Sequence, residues 1–184
     1  MAQVNDGTML NAKAKAMLES TKESKRGLLK LFLGAAPGVG KTYAMLTEAH
    51  ELRKAGLDIV VGYVETHNRA DTQALLDGLE IIKSKEINVN NFTYHELDVQ
   101  EIIKRRPVTV VIDEMPHTNA PGSVHQKRWQ DIEEILNVGI NVFSALNIQH
   151  LESLNGVVSR VTNVYVNETI PDTIFDKADE VRLV

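Results

Sequence analysis

The chain has 184 residues, 43% hydrophobic and 24% charged, which fits one folded domain with a real core and argues against a disordered chain. With 20 Lys+Arg against 25 Asp+Glu the formal charge is −5, which disfavours a protein built mainly to grip nucleic-acid backbones. Absence of cysteine excludes a disulfide framework and a thiolate zinc site; no apolar run approaches the ~18–20 residues of a membrane span, and no signal-peptide pattern opens the chain, so a soluble cytoplasmic location is expected.

Residues 1–27 read as an N-terminal amphipathic helix or extension. Leu10, Ala14, Met17 and Leu18 share one helical face, among Lys13, Lys15, Glu19, Lys22 and Glu23. Gly27 ends that pattern. Over 28–184 short apolar runs alternate with helical stretches. The runs lie at 29–33, 58–64, 92–95, 108–112, 140–145, 164–166 and 180–184, several of them β-branched and nearly continuous, as strands buried on both faces are. Helices are predicted at 42–54, 71–80, 98–106, 127–137 and 148–161, with Gly56, Pro107 and Gly139 as stops and Asp71, Asp98 and Asn147 at N-cap positions. This alternation predicts an α/β fold, a mostly parallel sheet with helices on both faces.

The most informative string runs from Leu29 to Thr42. An apolar strand enters a glycine-rich turn, Gly-Lys-Thr follows, and a helix begins. This is the P-loop in its broader form, with Ala35 where the strict pattern has its first glycine. Gly38 and Gly40 let backbone N–H groups turn toward phosphate oxygens, and the helix start adds its positive dipole end. Lys41 supplies a cation for the β- and γ-phosphates, and the Thr42 hydroxyl is a ligand for Mg²⁺. The expected nucleotide-binding set is Ala36, Pro37, Gly38, Val39, Gly40, Lys41, Thr42 and Tyr43, with ATP and Mg²⁺ as cofactors.

A second apolar strand, 108–112, ends in Asp113-Glu114. Asp113 fits the Walker B role beside Mg²⁺. Glu114 stands where the additional-strand class of P-loop ATPases keeps the base that polarises water. Asn147, at the end of the next strand, is equally a γ-phosphate sensor or the N-cap of the following helix. Glu65-Thr66-His67 ends a strand and either faces the nucleotide or caps a turn. His117 opens the loop after Glu114 and is a further candidate sensor, whereas metal binding by His117 and His125 lacks further ligands at suitable spacing. His50-Glu51-Leu52-Arg53 imitates a phospho-accepting box, but it lies on the helix after the P-loop and reads as helix surface. Lys104-Arg105-Arg106 complements a helix C-terminus.

These residues resemble the N-terminal cytoplasmic domain of the KdpD sensor histidine kinases. The resemblance runs from Gly27 onward. It is carried by Phe32-Leu-Gly-Ala-Ala-Pro-Gly-Val-Gly-Lys-Thr42, Asp58-Ile-Val-Val-Gly-Tyr-Val-Glu-Thr-His67, Asp113-Glu114 and His117-Thr-Asn-Ala-Pro-Gly-Ser123. Further marks are Lys127-Arg-Trp-Gln-Asp-Ile-Glu-Glu-Ile135, Leu146-Asn-Ile-Gln-His-Leu-Glu-Ser-Leu-Asn155 and Glu168-Thr-Ile-Pro-Asp172. It implies a nucleotide-binding regulatory domain of a two-component system that controls potassium uptake. The implied partners are the remaining domains of a sensor kinase and its response regulator, with no nucleic acid and no membrane insertion by this chain. The chain is then either an excised domain or a short stand-alone relative. Departures from the family pattern are Asn68 in place of Gly, Met115-Pro116 in place of Leu-Ala, and Val124-His125-Gln126 in place of Arg-His-Pro. Loss of that Arg removes one candidate for stabilising a γ-phosphate and leaves Arg69 and Arg128 as substitutes. Two other readings stand beside this one. The first is a free-standing P-loop small-molecule kinase or nucleotidyl/adenosyltransferase; the second is a degenerate P-loop scaffold, against which intact Lys41, Thr42, Asp113 and Glu114 speak.

Overall fold

A computed structural model describes residues 6–23, 26–163 and 165–184. Helix α1 (Asp6–Glu23) is followed by β1 (Leu29–Gly34), α2 (Lys41–Lys54), β2 (Ile59–Tyr63), α3 (Ala70–Ala74) and β3 (Glu80–Ile81). A hairpin of β4 (Lys85–Val89) and β5 (Phe92–Glu96) leads to α4 (Val99–Arg105), β6 (Thr109–Ile112), α5 (Arg128–Asn137) and β7 (Asn141–Asn147). A 3₁₀ turn (Ile148–His150), α6 (Glu152–Thr162), α7 (Asp172–Asp176) and β8 (Glu180–Leu183) complete the order.

Six strands form one sheet in the order β3-β2-β6-β7-β1-β8, with every neighbouring pair parallel. Because side chains alternate along a strand, β1 sends Leu29, Leu31 and Leu33 to one face and Phe32 to the other. The first face packs Val60, Val110, Ile112 and Val142 against Ile102 of α4 and Ile132 and Ile135 of α5. The second packs Phe32, Val61, Val111 and Phe143 under Met45, Leu46, Ala49 and Leu52 of α2, with Ala14 and Met17 of α1 added. Leu18 is more exposed than its place on the expected apolar face of this helix suggests.

Lys30 also points to the second face and is almost fully buried. Its ammonium donates to Glu48 of α2 at 2.7 Å and to Glu180 at 2.6 Å. Lys13 reaches the same Glu48 oxygen at 2.6 Å, and Arg182 reaches the other at 3.0 Å. One carboxylate on α2 thus joins α1, β1 and β8.

Gly27 marks the entry to the sheet for a steric reason. Its N–H donates to the Leu136 carbonyl at 2.7 Å, and a Cβ there would stand 2.0 Å from the Ile140 carbonyl oxygen. Asp98 caps α4, accepting from Glu101 N, whereas Asp71 lies inside α3 and Arg69 holds the N-cap position. The helix predicted at 71–80 stops early, since Gly78 takes a left-handed turn and Glu80–Ile81 joins the sheet edge. The run at 92–95 belongs to the antiparallel hairpin outside the main sheet. Asn90 and Asn91 make its turn with φ of 48° and 67°, the left-handed pair that a two-residue hairpin loop requires. The helix predicted at 148–161 is broken at Leu151, which pairs with Ile170. Of the run at 164–166, Val164 lies outside the described residues, and Tyr165 and Val166 are not in a strand.

Candidate functional site

The ends of β1, β2, β6 and β7 open on one cleft, at the carboxyl edge where parallel sheets bind ligands. Loop 35–40 leaves β1 there and returns as α2. Gly38 and Gly40 hold φ of 85° and 101°, which side chains rarely tolerate. A Cβ on Gly34 would lie 2.6 Å from Val39 Cγ2 and 2.9 Å from Lys41 Cδ. Glycine at this position therefore gives the Lys41 stem room to fold back over the strand end. The Lys41 ammonium donates to the Ala36 carbonyl at 3.2 Å and to Asn147 Oδ1. Thr42 Oγ1 donates to Asp113 Oδ2 at 2.7 Å, and the other Asp113 oxygen accepts from Glu114 N at 2.9 Å.

Burial raises the Asp113 carboxyl above its ordinary range; the neighbouring Glu114 charge adds to this and the Thr42 hydrogen bond opposes it. Burial also lowers the Lys41 ammonium, with Arg69 adding to the effect against the pull of Asp113 and Glu114. Glu114 itself has a left-handed backbone, φ 57°, and its half-exposed carboxylate lies 3.9 Å from His67 Nε2. Backbone held in that region by a non-glycine residue is costly and gathers at functional sites. His67 and Asn68 are left-handed as well, with φ of 49° and 58°. Asn tolerates this conformation better than most residues, so Asn68 can stand where a glycine would otherwise serve.

The residues singled out from sequence separate into two groups. Pro37, Gly38, Gly40, Lys41, Thr42, Tyr43, Asp113, Glu114 and Asn147 line the cleft. Asn147 is the N-cap residue of the 3₁₀ turn by position, but its side chain caps nothing and is spent on Lys41. Ala36 contributes its carbonyl, and Val39 is an exposed loop residue. Glu65 bends onto its own loop, accepting from His67 N at 3.2 Å. His117 turns away to Glu96, 3.1 Å from its carboxylate. Of the two substitute arginines, Arg69 lines the cleft, its guanidinium 3.4 Å from where a Gly38 Cβ would sit. Arg128 is wholly buried. Val124 lies outside the cleft, 84% exposed.

Thr72, Pro116 and His150 also line the cleft and were not legible as site residues. The sequence signal for Pro116 and His150 is their place shortly after β6 and β7, whereas Thr72 lies on α3. His50 Nε2 donates to the Leu75 carbonyl at 2.6 Å, and the residue is half-buried. Among the described residues no group of three His, Cys, Asp or Glu side chains is placed to hold a metal ion, and no helix is long and apolar enough to cross a membrane.

The family model described as KdpD, osmosensitive K⁺ channel His kinase sensor domain, matches residues 25–184. The sensor protein KdpD of Escherichia coli is 55% identical over 168 residues, covering 91% of this chain and 19% of that protein. The sensor protein KdpD of Mycobacterium tuberculosis is 52% identical over 161 residues, 88% of this chain and 19% of that protein. A putative sensor protein KdpD of Synechocystis sp. is 46% identical over 160 residues, 87% of this chain and 43% of its own length. The chain spans about a fifth of the length of the first two relatives. With a sensor-domain model matched from residue 25 to the last residue, and identities of this size, the chain belongs to the KdpD sensor-domain family.

Proposed function

We propose that the chain is an ATP-binding regulatory domain, residues 28–184 with 1–27 as an extension, which acts as a slow nucleotide switch within a KdpD-type sensor kinase. The observation that carries this is the convergence of Thr42 and Asp113, 2.7 Å apart, beside Lys41 at the end of a glycine loop. Hydroxyl and carboxylate oxygens of this kind suit Mg²⁺. Thr42 and Asp113 would hold the ion, which when bound screens phosphate charge. Lys41 and the N–H groups at the start of α2 would take the phosphates, and Glu114 would polarise water. Strand order supports the same reading: β7 lies between β1 and β6, as in the additional-strand class of P-loop ATPases.

Of the two substitute arginines Arg69, which lines the cleft, would meet a γ-phosphate, and Asn147 would report its arrival by giving up Lys41. The wider setting is a two-component system for potassium uptake, with other kinase domains and a response regulator as partners and the cytoplasm as location. Calorimetric titration of the chain with ATP, with and without Mg²⁺, tests the proposal. Saturable, Mg²⁺-dependent binding is the expected result; absence of binding at millimolar ATP overturns it.

A further inference from the structure

A second, smaller cavity lies outside the cleft, between the β4–β5 hairpin, the start of α4, the 115–126 loop and α5. One wall is apolar, made by Ile87, Leu97 and Val99. The lining also carries Asn119, Asp131 and Glu134. Asn119 is 9% exposed. Its amide nitrogen donates to the His125 carbonyl at 3.1 Å and to Asp131 Oδ2 at 2.6 Å, which fixes the orientation of the group. Its Oδ1 is then buried without any hydrogen-bond partner. Ser123 Oγ, on the same lining, is likewise buried and unpartnered.

Asp131 is 6% exposed and accepts a side-chain hydrogen bond from Asn119. Burial pushes its carboxyl above the ordinary range, and the Asn119 bond opposes that. The other acids of the lining are already engaged. Glu96 accepts from His117, Ala120 N and Arg128, Asp98 caps α4, and Glu134 meets His125 and Gln100. Lys85 stands on the rim, exposed.

Buried acceptors that lack donors are unfavourable. This cavity holds an excess of acceptors and carboxylates together with apolar side chains. A hydrated metal ion does not match the apolar part. A group that does match carries several N–H donors and a positive charge on an aliphatic stem. We propose that the cavity receives the arginine or lysine side chain of a partner polypeptide, its head on Asn119 Oδ1 and Asp131 and its stem along Ile87, Leu97 and Val99.

The site has a route to the cleft. Glu96 forms part of its wall and accepts from Arg128 at 3.4 Å; Arg128 donates in turn to the Asp113 carbonyl at 3.2 Å.

The test is a titration of the ¹⁵N-labelled full chain with the blocked peptide acetyl-Gly-Arg-Gly-amide, its lysine analogue and its citrulline analogue. Either basic peptide should produce saturable amide shifts at Ser123, Asn119 and Asp131, with citrulline at least fivefold weaker. Asp131→Asn should weaken binding of the basic peptide at least fivefold. Val124→Arg, which offers the same group from the exposed rim, should block the peptide even if Asp131→Asn does not fold. Three outcomes overturn the proposal: equal response to citrulline, the same shifts from KCl or MgCl₂ at matched ionic strength, or undiminished peptide binding in Val124→Arg.

Discussion

The Arg128 guanidinium lies 3.8 Å from the centre of the Tyr63 ring, and its Nη1 donates to the Asp113 carbonyl. It braces the ends of β2 and β6 from inside the core. Its carboxylate partner Glu96 is also buried. Arg128→Ala leaves that charge without its buried guanidinium, so a loss of about 3–5 kcal/mol of stability is expected. Arg69→Ala, on the cleft, should stay within about 0.5 kcal/mol of wild type while slowing single-turnover hydrolysis, since such a cation is worth roughly 10³–10⁵ in rate. Urea unfolding and single-turnover assays on both variants check the split.

The Lys41 ammonium donates to the Ala36 carbonyl of the loop and to Asn147 Oδ1, and neither group is deep in the core. Lys41→Ala should therefore weaken ATP binding at least about tenfold, on the order of 1.4 kcal/mol, with little change in melting temperature. Calorimetry and thermal unfolding measure the two effects separately. Equal affinity in variant and wild type would contradict a phosphate role for this lysine.

A switch needs a long-lived triphosphate state. Single-turnover hydrolysis by the chain should run below about 1 s⁻¹, under the ordinary enzyme range. Hydrogen exchange of the 115–126 loop should differ between ATP and ADP. That loop is tied at one end, Thr118 N donating to Glu168 at 2.7 Å, and it bonds across itself from Asn119 N to the Gln126 carbonyl. A loop indifferent to the γ-phosphate would rule out the switch.

Glu48 supplies a pH test. Burial opposes its charge, but hydrogen bonds from Lys13 and Lys30 outweigh burial and set its pKa below the ordinary value of 4.5. A carboxylate whose folded pKa is depressed stabilises the fold above its unfolded pKa and loses that contribution as pH falls through the folded one. Glu48→Gln leaves Lys30 buried with one fewer anion, so about 3–5 kcal/mol should be lost at pH 7. The gap between variant and wild type should narrow as pH falls through 4.5 and below. Urea unfolding across pH 3–7 reads it; a gap that does not change with pH would refute the assignment.

His50 carries a further expectation. Its Nε2 is already engaged at the Leu75 carbonyl, so incubation with γ-labelled ATP should leave no acid-labile label that His50→Gln removes.

Local chemistry made part of this legible in the sequence. The loop before Lys41-Thr42 declares itself because glycines, lysine and hydroxyl are consecutive. Asp113 follows because an apolar strand runs straight into it. Arg69 was not assigned so clearly, since its reach to Gly38 depends on β1 and β2 sharing a sheet whose intervening strands come later in the chain. His117 misled in the opposite way: proximity to Glu114 in sequence suggested the cleft, but Glu96 of the hairpin draws its ring elsewhere. Of the hairpin only β5 was read, from the run at 92–95; β4 is mostly exposed and leaves no apolar run. The Asn90-Asn91 turn was its best signal.

The position of β1 in the sheet has a consequence for how the protein is made. Leu29 is paired with Val142, and Lys30 with Glu180. A nascent chain emerging from the ribosome therefore presents the glycine loop early, on a strand that has no neighbour until β7 and β8 have followed it out. Contacts between such distant segments form slowly, because loop closure must precede the gain from pairing. Newly synthesised chains should thus complete the sheet that carries the glycine loop late and abruptly, and Leu31 and Phe32 are the residues that shielding by a chaperone would protect in the interval.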